Sequence, residues 1–287
     1  MTSLLRLFAF MPLWLIHSMG SVLGWLVFLI SRRYAERMKQ NIRISGLFTD
    51  ERAYKKLLKQ VIGEAGKSVL ELFVVWLRPQ QKVIRLVRNC HGWEHVEAAL
   101  KNGKGVIMLT PHLGCPDIAA QYYATRYPLT VLYRPSRFQW VEKLILSGRQ
   151  RGQITLAPTD LKGVKGLLGA LRRGEAIGIL PDQVPSHGEG VWANFFGHPA
   201  YTMTLVGRLQ KTTDAAVLLV FAERLPNGKG FDVRFQPLPE PLPDDKVRDA
   251  SVLNTAIERL IRQCPSQYLW SYNRYKVPKG VEPPSLG

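Results

Sequence analysis

The stretch VIMLTPHLGCPD, Val106 to Asp117, packs a strand, a turn and the start of a helix into one short run. Val106–Leu109 is an unbroken apolar run of strand length, the pattern of a strand buried on both faces. Thr110-Pro111 ends it, and Gly114 with Pro116 supplies a turn. Pro116 suits a first helical position and Asp117 a first turn, where a carboxylate favours the helix dipole. The same grammar continues in both directions. Further strands are predicted at Thr130–Tyr133, Ile154–Ala157, Ala176–Leu180, Ala216–Phe221 and Phe231–Phe235. Helices are predicted at Pro116–Arg126, Gln139–Arg151, Leu161–Arg173, Thr202–Lys211 and Val247–Gln263. Strand and helix in alternation predict an α/β fold, a largely parallel sheet flanked by helices. PNGKG at Pro226–Gly230 reads as a hairpin loop, so the sheet is expected to be mixed at one edge.

Before this region lie two long helical patterns. From Leu7 to Ile30 the chain carries 24 residues whose only ionisable side chain is His17. As a single helix this run would be about 36 Å long, enough to cross a hydrocarbon core of about 30 Å or to lie tilted at its surface. Ser31-Arg32-Arg33, Arg37, Lys39 and Arg43 follow in place of a small-residue cleavage site. The run is therefore read as a retained membrane helix, with everything after it in the cytoplasm by the positive-inside tendency. The second pattern, Asp50 to Leu77, repeats apolar residues at helical spacing and reads as an amphipathic packing helix. It contains GEAGKSV, but a phosphate-binding loop would need glycine where Val61 stands, with a strand before it. The expected organisation is an anchor at 1–31 and one domain at 32–287: helical at 32–100, an α/β core at 101–275 and a tail at 276–287.

Charge and cysteine content narrow the function. Thirty-nine Lys and Arg against 22 Asp and Glu give a formal charge of +17, which calls for an anionic partner. Three cysteines, Cys90, Cys115 and Cys264, without a CxxC pair, suggest neither a disulfide framework nor a standard zinc site.

Ligands of open α/β sheets bind beyond the carboxyl ends of the strands. Four of those ends carry Pro111-His112, Arg134-Pro135, Pro158-Thr159-Asp160 and Pro181-Asp182-Gln183. If the strands are parallel, a histidine, an arginine and acids meet on one rim. His112 and Asp117, five apart, would diverge on a continuous helix and meet only across the Gly114–Pro116 turn. A carboxylate holding one imidazole nitrogen raises the basicity of the other, which makes His112 a general base with Asp117 as its expected partner. Cys115 is a poor candidate nucleophile, and no GxSxG elbow occurs. The economical chemistry is deprotonation of a substrate hydroxyl that attacks an acyl carbonyl directly.

These residues carry a resemblance. PHLGCPD resembles the HxxxxD block of the glycerolipid acyltransferases. VLYRPSR, RRGEAIGILPDQ, FFGHPAYTMTLVGRL and PSQYLWSYNRYK, with the apolar N-terminus, make the chain similar to the late acyltransferases of lipid A biosynthesis. Many of those have glutamate where Asp117 stands. The resemblance implies a bacterial inner-membrane enzyme with a cytoplasmic active site. It would move a fatty acyl chain from acyl carrier protein, where phosphopantetheine holds it, to a hydroxyl of a lipid A precursor, without another cofactor. It implies His112 as base, Asp117 as its orienting partner, Arg134 at phosphate or developing charge, and Asp182 positioning the acceptor. Arg149 and Arg208 are further candidates for phosphate contact, each also readable as a residue on a solvated helix face. Two rivals stay open: transfer to a lysophospholipid or other glycolipid, and a non-catalytic basic protein on membrane or nucleic acid. SYNRYK could stack on bases in the latter case, although that reading leaves the apolar N-terminus and the rim without a purpose, so nucleic acid is not expected as a partner.

Overall fold

The structure, a computed structural model, describes residues 7–136 and 138–284. The first six residues of the expected anchor, Arg137 of VLYRPSR and the last three residues of the tail lie outside the described residues.

Helices come first: α1 (Leu13–Ile30), α2 (Arg32–Ser45), α3 (Glu51–Leu77) and the short α4 (Gln80–Ile84). The apolar run does not form one helix from Leu7. Pro12 stands immediately before α1, which spans 18 residues, about 27 Å rather than 36. Proline lacks the amide hydrogen of a helix interior and biases the residue before it away from helical dihedrals. Helix α3 begins where its cap requires, with the Asp50 carboxylate accepting from the Ala53 amide at 2.7 Å.

The α/β part then runs β1 (Val87–His91), α5 (Trp93–Lys101), β2 (Val106–Leu109), α6 (Pro116–Tyr123), β3 (Leu129–Tyr133), α7 (Gln139–Arg149), β4 (Ile154–Pro158), α8 (Leu161–Arg172) and β5 (Ala176–Ile179). A hairpin of β6 (Gly190–Phe195) and β7 (His198–Met203) follows, then α9 (Leu205–Thr213), β8 (Ala216–Arg224), β9 (Phe231–Pro237) and α10 (Lys246–Gln263). The main sheet has the order β1-β9-β8-β2-β5-β3-β4. From β8 to β4 the strands are parallel, while β9 runs antiparallel to β8 and β1 follows β9. The sheet is thus mixed at one edge, through the hairpin at Pro226–Gly230.

Both faces of the central strands are covered. Val106 and Met108 of β2 pack with α3, α5 and α6, whereas Ile107 and Leu109 pack with α8, α9 and α10. This double burial is why VIML and AIGI are continuous apolar runs. Three strands lacked that signature. β1 is an edge strand of sequence VRNCH with three of its five residues exposed, and the β6–β7 hairpin is paired outside the main sheet. Thr202 and Met203 close that hairpin opposite Val191 and Gly190, so the helix expected from Thr202 starts at Leu205.

Candidate active site

The neighbouring parallel strands β2 and β5 are in register from Val106↔Ala176 to Leu109↔Ile179. His112 and Asp182 each lie three residues beyond the last of these pairs, and their side chains meet. His112 Nδ1 is 2.9 Å from Asp182 Oδ1, and the His112 backbone amide donates to Asp182 Oδ2 at 2.9 Å. One carboxylate therefore grips both the ring and the backbone of the histidine. Asp182 is 3% exposed, while the imidazole remains partly open to the cavity beside it. Burial alone would lower the pKa of His112, but the facing Asp182 carboxylate more than offsets it and holds the imidazole above its ordinary value. Burial would raise Asp182, and the charge and hydrogen bonds of His112 instead hold its carboxyl low. With Nδ1–H committed to Asp182, Nε2 is the basic nitrogen. The side-chain amide of Gln183 lies 3.2 Å from it.

Asp117 is not the partner of His112. It sits in the first turn of α6 with Pro116 at the helix start, as expected. Its carboxylate is taken up elsewhere: Arg149 donates from Nε at 2.6 Å and from Nη2 at 3.1 Å, and Trp76 Nε1 donates at 3.1 Å. The reason is geometric. The parallel register carries Asp182 to the level of His112, whereas the turn at Gly114 sends the chain off toward α3 and α7 before Asp117 is reached. Gly114 has φ +64°, and a Cβ there would collide with the Ala222 carbonyl.

Arg149 is half-buried, bidentate on Asp117 and part of the cavity wall, rather than on a solvated face. Its Nη1 has no hydrogen-bond partner among the described residues. Arg134 leaves β3 on the same rim, exposed and unpaired among the described residues. Arg208 is exposed on α9, outside the cavity wall. Asp160 caps α8 through the Gly163 amide at 2.8 Å.

A buried ion network that sequence reading missed supports the His112–Asp117 loop from below. Arg224, at the end of β8, donates to Glu71 from Nε at 2.7 Å and from Nη2 at 2.5 Å, and to Glu64 from Nη1 at 2.6 Å. Its Nη2 also reaches the Gly114 carbonyl at 3.3 Å, and His17 Nε2 lies 3.2 Å from Glu71 Oε2. Burial disfavours the charge on Glu71, yet Arg224 and His17 together keep its pKa below the usual value. The signal available in the sequence was Glu64 and Glu71 spaced seven apart on α3, two turns along one face.

The C-terminal segment closes the other side. Leu269 N donates to the His112 carbonyl at 3.0 Å, Gly114 N to the Gln267 carbonyl at 3.1 Å, and Val184 N to the Tyr272 hydroxyl at 2.9 Å. Arg274 of SYNRYK is 3% exposed and bonded to Tyr201, Thr202 and Asn254, so it has no face to offer a base.

From the His112 rim a cavity of about 250 Å³ runs under the sheet between α3, α6 and α7. Its lining is mostly apolar, Met108, Ala119, Val131, Leu156 and Val220 among it, with polar groups from His112, Asp117 and Arg149 and from Glu64 and Glu71 of α3. Cys115 also lines it but is buried, and burial together with the nearby Glu71 and Asp117 pushes its thiol well above the ordinary value. The arrangement places a carboxylate-held imidazole in the wall of a mostly apolar pocket. The profile of the bacterial lipid A biosynthesis acyltransferases matches residues 1–277.

The chain belongs to that family.

Among its relatives in Escherichia coli K12, the lipid A biosynthesis lauroyltransferase is 26% identical over 94% of this chain and 89% of its own length. The palmitoleoyltransferase is 26% identical over 78% and 72%, and the myristoyltransferase 26% over 86% and 77%. Equal identity to three relatives named for different acyl groups assigns no chain length to this lipid A acyltransferase. Acyl transfer does account for a mostly apolar cavity lined in part by a histidine.

Proposed function

We propose that this acyltransferase moves a fatty acyl group from the thioester of acyl carrier protein to a hydroxyl of a lipid A precursor, in one direct step. The observation that carries the reading is the His112–Asp182 pair, with His112 in the wall of a mostly apolar cavity. The acyl chain lies along Met108, Val131 and Leu156, which sets the thioester carbonyl near His112. The acceptor hydroxyl displaces the Gln183 amide and gives its proton to Nε2 as its oxygen attacks the carbonyl carbon. The C–S bond then breaks, and the departing sulfur takes the proton from the imidazolium. Asp182 holds the tautomer and stabilises the charged ring. Arg149, fixed by Asp117, offers Nη1 to the oxyanion or to a phosphate of the acceptor. No further cofactor is needed, because the thioester already supplies a good leaving group. Cys115 takes no part, since its thiol is held in the unreactive neutral form. The basic surface suits an acidic carrier protein and a phosphorylated lipid on the cytoplasmic face of the bacterial inner membrane.

The test is a mass-spectrometric transfer assay that pairs acyl carrier proteins of several chain lengths with a lipid A precursor and, separately, a lysophospholipid. Transfer to the precursor, lost in His112→Ala and retained in Cys115→Ala, is the expected result. Transfer to the lysophospholipid alone would replace the acceptor. An acyl group trapped on Cys115 and passed on to acceptor would replace the direct mechanism.

A further inference from the structure

Helix α1 is laid lengthwise and antiparallel along α3. Arg78 Nε, at the end of α3, donates to the Ala9 carbonyl at 2.6 Å, just ahead of α1. Further along, His17 meets Glu71. At the far end Gly20 and Gly24 press on the backbone of Ile62, Gly66 and Lys67, where any Cβ would collide. Close backbone approach of this kind needs glycine on both helices, and Gly66 of α3 supplies the partner. The docked stripe of α1 is Leu13, Ile16, His17, Gly20 and Gly24, at helical spacing.

The stretch beside α1, from Ile62 of α3 to Arg78 just past its end, carries Glu64, Lys67, Glu71 and Arg78. Glu64 and Glu71 are tied to Arg224 of the main sheet, and Trp76 is tied to Asp117 of the site. If α1 crossed a bilayer in this packing, those charges and the sheet behind them would have to enter the hydrocarbon with it. Charged side chains and the edges of an open sheet are not accommodated there. The opposite face of α1 has the reverse character. Trp14, Val22, Trp25, Leu26, Leu29 and Ile30 are exposed, with no ionisable side chain among them. Arg32 and Arg33, immediately beyond, are exposed as well.

We propose that α1 lies in the plane of one lipid leaflet, its docked face toward α3, its Trp14–Ile30 face in the acyl region and Arg32 and Arg33 at anionic headgroups. Both ends of the helix are then on the same side of the membrane. Val69 of α3, exposed and part of the cavity wall, stands beside this surface, so that a lipid reaches the cavity without leaving its leaflet. The inference rests on the membrane location proposed above and adds its geometry.

Trp14 and Trp25 are eleven residues apart, about 16 Å along the helix. The full-length protein, Trp14→Phe and Trp25→Phe are bound to vesicles of zwitterionic and anionic phospholipid brominated either near the headgroup or near the chain end. The emission lost with each substitution reports that tryptophan's depth. Equal, shallow depths are expected. Depths that differ by about 16 Å would overturn the in-plane helix while leaving the membrane location standing. No quenching of either tryptophan would overturn both, and would mean that protein, such as a second copy, covers the face. A second readout does not depend on the tryptophans: Ser3→Cys in the full-length protein should resist a membrane-impermeant maleimide in spheroplasts and react in inverted vesicles. Reaction from outside would also overturn the proposal.

Discussion

His112 and Asp182 occupy equivalent places on two neighbouring parallel strands, each three residues past the last paired residue, and this brings Nδ1 to 2.9 Å from Oδ1. The carboxylate that tunes the imidazole is therefore held by the sheet itself. Asp117, held by a helix start, can be occupied with Arg149 without disturbing the imidazole.

Asp182→Asn should lower the transfer rate by about 10²- to 10⁴-fold, the usual contribution of a general base and its orientation. It should also move the acid limb of the pH profile. Asp182 holds His112 above 6.5, so the wild-type base form is reached only above that pH. Without the carboxylate the limb shifts to lower pH, even though the maximal rate falls. An Asp182→Asn profile that keeps its wild-type limb and rate would remove Asp182 from the reaction.

The same pair contributes pH-dependent stability. The raised pKa of His112 adds stability that is fully present below about pH 6.5, the unfolded value, and is lost as pH rises through the folded pKa. The lowered pKa of Asp182 adds stability above the unfolded carboxylate value, lost as pH falls through the folded one. Thermal unfolding between pH 2 and 8 should therefore show the pair's contribution largest between about pH 4 and 6.5, the two unfolded values, and falling on either side, a dependence that flattens in Asp182→Asn. Curves that differ only by a constant offset would contradict the linkage.

Asp117→Asn and Arg149→Lys should impair the reaction through one shared function. Asparagine loses the charge that fixes the guanidinium, and lysine loses the planar fork. A double variant should be little worse than the poorer single one, with a coupling energy of about 0.5–3 kcal/mol in kcat/KM. Simple additivity would show that the two residues act separately.

Arg224→Met should destabilise the fold by about 3–5 kcal/mol, because Glu71 would be left buried without the guanidinium that holds both its oxygens. Chemical denaturation of the detergent-solubilised protein measures this. A change below about 1 kcal/mol would place the network among ordinary surface pairs.

Val131→Phe reduces the volume of the apolar cavity and should shift preference toward shorter acyl donors. Each buried methylene is worth about 0.8 kcal/mol, so displacing one chain carbon changes relative use by roughly fourfold. Competition between acyl carrier proteins of graded chain length, read by mass spectrometry, gives the ratio. An unchanged ratio would mean the chain does not lie along β3.

The residues that determine local structure were legible in the sequence. VIML and AIGI declared buried strands because both faces are apolar, and Pro116-Asp117 declared a helix start because proline and carboxylate suit that position. His112 stood out as a candidate site residue because a strand end in an α/β sheet is where ligands bind, and the family match over residues 1–277 agrees with the resemblance. The edge strand VRNCH and the β6–β7 hairpin were silent, since neither is a continuous apolar run of the kind that two covered faces impose. What the sequence could not assign was the partner of each charge. Asp117 is five residues from His112 and Asp182 is seventy, yet Asp182 holds the ring. Strand order and register bring the distant carboxylate to the imidazole, and the turn at Gly114 carries the near one away to Arg149. Arg224, Glu71 and His17 meet for the same reason: charge pairing depends on distance in space, and only the packed chain sets that distance.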